Sequence, residues 1–141
     1  NQGSTEDIVG GPFDVIIVNH VAEHFTDFYK EMGNIIKHLR PNGILFVGVP
    51  NIDNFGKSQF QNAHILYFTP RTFKHYMSKL NMSAIKFGKV AGGHMYGVFK
   101  FHTVDAEEIS LVNEYRLMKN KIFIGKFKSS LKSILEILNL K

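Results

Sequence analysis

The chain has 141 residues, 44% hydrophobic and 21% charged, which suffices for one domain with a real core. It contains no cysteine, so disulfides, Cys-ligated zinc and a thiol nucleophile are excluded, and a reducing, cytoplasmic setting is expected. The net charge of +5 is unevenly spread, with 10 Lys/Arg against 11 Asp/Glu up to Glu114 and 7 against 1 from Tyr115 onward. No apolar run reaches the length of a membrane span and no secretory leader is visible. The first residue is Asn1 rather than Met, so a chain cut from something longer is expected, with Asn1 to Ser4 set aside from the fold.

Residues 13–19 form a continuous apolar run rather than an alternating one, the pattern of a strand buried on both faces in a parallel sheet. Phe28, Met32, Ile35, Ile36 and Leu39 then recur at helical spacing, and Pro41-Asn42-Gly43 closes that helix with turn chemistry. Ile44 to Val49 reads as a second buried strand, stopped by Pro50, so that strand, helix and strand make a right-handed βαβ unit. Residues 51–63 are polar and glycine-containing, a flexible lid. Thr69 followed by Pro70 starts a helix, cap then first turn, with Phe73, Tyr76, Met77 and Leu80 as its apolar stripe. Residues 83–90 and 94–103 read as two strands around Gly92-Gly93, a hairpin.

From Asp105 the character changes. Residues 105–119 and 121–140 read as helices, so two regions are expected, an α/β domain over residues 1–104 and a basic helical tail over 105–141. Residues 119–141 interleave apolar and Lys positions, which suits peripheral contact with an anionic membrane or packing on the chain's own domain or a second subunit.

The order strand, helix, strand, lid, helix, hairpin resembles the C-terminal half of a class I S-adenosylmethionine-dependent methyltransferase. "FDVIIVNHVAEH" (residues 13–24) is similar to that family's fourth strand and the segment after it. "HLRPNGILFVGVPN" (residues 38–51) resembles its "L-x-P-G-G" turn and fifth strand, with Asn42 replacing the first glycine. "HILYFTPRTFKHYMSKLN" (residues 64–81) resembles the "H-x-x-x-F-T/S" segment of subfamilies acting on sugars, quinones and other small metabolites. The resemblance implies an α/β fold, a partial Rossmann-like sheet whose strands correspond to the family's 4-5-7-6. It also implies S-adenosylmethionine as cofactor of the complete enzyme and a small-molecule acceptor, a sugar or glycan precursor being the first choice.

The family's acidic-Gly-x-Gly-x-Gly turn has no counterpart in this sequence, so weak or no cofactor binding by this chain alone is expected. With its sheet neighbour absent, the strand at 13–19 should expose an apolar edge and favour homo-oligomers. No nucleic-acid partner is expected, since the aromatics of 85–101 read as hairpin core.

The resemblance makes Asn19 and His20 part of the cofactor and substrate rim and matches Glu23-His24 to the family's E-H at the start of the next helix, with Glu23 on the substrate side. Asn51, at the carboxyl end of the second strand, faces the ligand side or simply caps a turn, and Tyr67 is a substrate-side candidate whose alternative is packing. His64 is the preferred general base, because methyl transfer to oxygen or nitrogen requires loss of the nucleophile's proton and imidazole suits that task. The alternative is a histidine that closes the lid onto the helix. His24 is the second catalytic candidate, the alternative being that Glu23 and His24 cap and pack the start of the next helix.

His20, Glu23 and His24 also spell H-x-x-E-H, a zinc-hydrolase order that requires a helix. In a quinone-methylating subfamily, carboxylates and a histidine at this segment bind a divalent metal; His20 replaces the first carboxylate, so no metal is assigned. His38, His75, His94 and His102 show no ligand spacing and read as surface or packing residues. Besides the methyltransferase, a non-catalytic dimerising scaffold remains open, with the zinc hydrolase behind it.

Overall fold

A computed structural model describes residues 4–54 and 63–102. Their centre is a four-stranded sheet in the order β1-β2-β4-β3, built from Phe13–Asn19 (β1), Leu39–Pro50 (β2), Met82–Val90 (β3) and His94–Phe101 (β4). β1 runs parallel to β2, while β2–β4 and β4–β3 are antiparallel. This is the expected 4-5-7-6 order.

Two helices cover one face. Phe28–Ile36 (α1) starts where Asp27 accepts a hydrogen bond from the Lys30 amide at 3.1 Å. Pro70–Ser78 (α2) starts at Thr69, whose hydroxyl accepts from the Thr72 amide while Thr72 reaches back to the Thr69 amide. Each arrangement satisfies amides that an open helix end leaves unpaired.

Under the helices, Met32, Leu45, Val47, Val49, Phe73, Met77 and Phe99 are wholly buried. Burial of such side chains is worth about 1.5–3 kcal/mol each, before the entropic cost of ordering them. The register Val18↔Val47, Ile16↔Leu45, Leu45↔Phe99 and Val49↔Met95 sets these positions on the helix-covered face. Phe28 closes the end of this core against the rings of Phe68 and Tyr76, at 5.7 and 5.1 Å.

The structure departs from the sequence reading in several places. The run at 13–19 is not buried on both faces: β1 is an edge strand, with Val15 and Ile17 55% and 68% exposed. A run of β-branched residues dictates a strand, but neighbours decide burial. Leu39 belongs to β2, not to α1, and pairs with Phe13; the next pair is Val15↔Ile44, so Arg40 to Gly43 bulge out between them. The helix ends at Ile36, where the Lys37 and His38 amides donate back to the Gly33 and Ile35 carbonyls, and Pro41 then holds Arg40 out of helical geometry. Leu80 lies beyond α2 but still packs against the core.

Of the expected lid, residues 55–62 lie outside the described residues, as do the proposed helices at 105–119 and 121–140 and the basic tail. No helix among the described residues is long and apolar enough to cross a membrane.

Candidate active site

The carboxyl ends of β1 and β2 lie side by side because the strands are parallel, and open sheets of this kind present ligand sites there. At the end of β1, Asn19 sits opposite Gly48 with its amide over the space where a Cβ would stand, so that position accepts only glycine without displacing Asn19. His20 follows with φ +54°, a left-handed backbone, and its amide donates to the Gly48 carbonyl at 3.0 Å. This turn throws the His20 ring across the strand ends.

Glu23 and His24 lie in a short 3-10 turn, Ala22–His24, rather than at the start of the next α-helix, which Asp27 caps. The capping alternative for Glu23 and His24 is thereby overturned. So is the helical geometry that the H-x-x-E-H hydrolase requires: His20 is itself left-handed, and His24 ends a single 3-10 turn.

Glu23 is 1% exposed. Its Oε1 lies 3.2 Å from His20 Nδ1, and its Oε2 has no hydrogen-bond partner among the described residues. The Glu23 main-chain carbonyl accepts from the Ile65 and Leu66 amides at 2.9 and 3.0 Å, which fastens the segment ahead of α2 to this turn. That clamp brings His64 to His24, with ring centroids 5.0 Å apart. The ring of His24 is fixed in turn by the Ala63 carbonyl, 2.8 Å from Nδ1, so Nδ1 donates and the lone pair is left on Nε2. Tyr67 is half-buried, 6.2 Å from the His64 ring.

Asn51 is wholly buried. Its side-chain oxygen accepts from the Asp53 main-chain amide at 3.0 Å, its own main-chain amide donates to the Gly93 carbonyl at 2.8 Å, and it bridges to Phe68. Asn51 therefore supports the floor of the site and caps the turn leaving β2. Sequence reasoning read His94 as a surface or packing residue, without placing it at this end of the sheet. The first residue of β4, it pairs with Pro50, and its half-buried ring stands edge-on to His20 at 4.7 Å. The signal was its place just after Gly92-Gly93: a strand antiparallel to β2 must begin where β2 ends.

The arrangement thus collects His20, Glu23, His24, His64 and His94 at the ligand end of a Rossmann-type α/β sheet. It offers proton-accepting nitrogens and a desolvated carboxylate, the equipment for handling a polar small molecule. Residues 4–86, more than half of the chain, match a family described as a methyltransferase domain, and the chain belongs to that family.

No curated protein matches it. Solved structures match in fold. The 1,6-didemethyltoxoflavin-N1-methyltransferase of Burkholderia thailandensis, with bound 1,6-didemethyltoxoflavin and S-adenosylhomocysteine, is 18% identical with a TM-score of 0.58, over 70% of this chain and 48% of that one. Mitomycin 7-O-methyltransferase is 15% identical, TM-score 0.60, over 70% and 32%. An S-adenosylmethionine-dependent methyltransferase from Clostridium acetobutylicum is 10% identical, TM-score 0.57, over 72% and 63%. The chain spans less than two thirds of each.

Proposed function

We propose that this chain forms the acceptor-side portion of an S-adenosylmethionine-dependent methyltransferase acting on a small molecule. The observation that carries the reading is the convergence of His24 and His64 at the ligand end of a methyltransferase sheet, with ring centroids 5.0 Å apart. Asn19 and His20 form the cofactor rim, and Glu23, Asn51 and Tyr67 shape the acceptor side. His64, with His24 beside it, takes the proton that an acceptor hydroxyl or amine loses as the methyl is transferred in line. The neighbours described above as a toxoflavin-precursor and a mitomycin methyltransferase support a small, polar, ring-bearing acceptor. A sugar or glycan precursor is the first class to try. Because no acidic-Gly-x-Gly-x-Gly turn occurs in the sequence, the chain alone binds the cofactor weakly.

The test is methyl-labelled S-adenosylmethionine offered, with a panel of hydroxylated and amino acceptors, to the native gene product that contains this chain. Labelled product that falls about 100-fold or more in a His64→Ala variant supports the reading. Absence of both transfer and cofactor binding overturns it.

A second reading, a dimerising scaffold without catalysis, is favoured by the exposed edge at Val15 and Ile17. It predicts no cofactor binding even in the native gene product.

A further inference from the structure

We propose that Glu23, His24 and His64 form a site for a divalent transition-metal cation of zinc type, with an open position toward the acceptor side. One ligand atom from each residue lies within 4.8 Å of the others. The set draws on two separate segments, and the two Glu23 carbonyl hydrogen bonds to Ile65 and Leu66 hold those segments together independently of any ion.

Two features of the site point to a cation. Glu23 is buried at 1% exposure with Oε2 unpartnered among the described residues, and a carboxylate removed from water needs a compensating positive charge. His20, on Oε1, serves only one of its two oxygens. His24 is already in the tautomer of a metal ligand. Its Nδ1 donates to the Ala63 carbonyl, the outer hydrogen bond that fixes the ring of most metal-bound histidines, and this leaves the Nε2 lone pair to coordinate.

The donor chemistry selects the ion. Two imidazoles and one carboxylate suit zinc and its neighbours, whereas magnesium and calcium prefer oxygen alone. Zinc ligands stand ~2.0–2.2 Å from the ion, so the three must draw closer when it binds. Three protein ligands leave a fourth position for water or for an acceptor oxygen. The base role given to His64 above belongs to the metal-free site; with the cation in place His64 is a ligand, and the metal would make a bound hydroxyl easier to deprotonate.

Assigning no metal from sequence rested on His20 replacing a carboxylate. His20 is not in this set; His64, from the segment ahead of α2, completes it. The inference rests on ligand geometry and stands whether or not the chain transfers methyl groups.

The test is titration of the full chain with Zn²⁺ by calorimetry, with Co²⁺ as a spectroscopic substitute. The expected result is one ion per chain, a four-coordinate cobalt spectrum and a higher melting temperature with zinc. His24→Ala and His64→Ala should each weaken zinc binding ~10-fold or more, while His38→Ala leaves it unchanged. Both ligand substitutions fall on side chains outside the core, so the variants should fold, and the cobalt spectrum of the unaltered chain reads the site without any variant. Absence of stoichiometric zinc binding, retention of binding in both ligand variants, equal loss in His38→Ala, or preference for Mg²⁺ over Zn²⁺ would each overturn the proposal.

Discussion

His20, one residue past β1, and His94, the first residue of β4, stand edge-on with ring centroids 4.7 Å apart and planes at 88°. Their backbones are far apart in sequence and meet only because β4 pairs antiparallel with β2 while β1 pairs parallel to it. The contact depends on the φ of +54° at His20, which aims the ring across the strand ends. A left-handed conformation costs a residue with a Cβ roughly 1–2 kcal/mol.

His20→Gly should therefore fold normally, with stability within about 1 kcal/mol of the original, because relief of the backbone offsets the lost ring contacts. His20→Val should be less stable than His20→Gly by about 1–2 kcal/mol, since a β-branched residue tolerates that φ worst. Urea denaturation of the two variants gives the comparison. Equal stability would mean that the turn relaxes to an ordinary conformation when the ring is removed.

Gly48 and Asn19 should be coupled. A methyl at Gly48 falls on the Asn19 side-chain oxygen, the mobile end of a side chain, so Gly48→Ala should cost less than about 1 kcal/mol while turning the amide aside. The side-chain amide resonances of Asn19 should move, and the variant should lose cofactor affinity in the complete enzyme if Asn19 lies on the cofactor rim. An unmoved Asn19 amide signal would sink this relationship.

Asp27 rather than Glu23 caps α1. Asp27→Ala should lower stability by about 1 kcal/mol, the usual worth of a side-chain cap. His24→Ala should change it by no more than about 0.5 kcal/mol, because the exposed ring lies outside the helix and the core. Thermal melts in metal-free buffer decide the matter, and a larger loss from His24→Ala would restore the capping role to that turn.

The edge of β1 should drive self-association. Phe13, Val15 and Ile17 alternate along the strand on the face opposite the helices and are 39%, 55% and 68% exposed. A long apolar edge with unpaired amides recruits another strand, and lysine on an edge prevents this. Sedimentation velocity should show dimers or larger species for the chain and monomer for Val15→Lys/Ile17→Lys. A monodisperse monomer of the unaltered chain would refute the interface.

Much of this architecture was legible from local pattern. The apolar run at 13–19, the Thr69-Pro70 start and the Gly92-Gly93 turn follow from residue type and spacing, because strand periodicity, capping and glycine's left-handed tolerance are local properties; the strand order was available only through the resemblance to the family's 4-5-7-6 half. Leu39 was misread for a physical reason. Its helical spacing from Ile35 and Ile36 is real, but the helix ends at Ile36, and Leu39, ahead of Pro41, pairs with Phe13 instead.

The site divides along the same line. The sequence by itself determined that a strand ends at Asn19, that His20, Glu23 and His24 follow it, and that His64 precedes a helix. Only the tertiary structure decided that Glu23 is buried, that its carbonyl clamps Ile65 and Leu66, that His64 thereby reaches His24, and that His94 reaches His20. Spacing along a chain reports contacts within one helix or strand. A pairing between β2 and β4, or two hydrogen bonds from a turn to a distant loop, leaves no periodic trace, because the partners are chosen by the packing of the whole sheet and its helices.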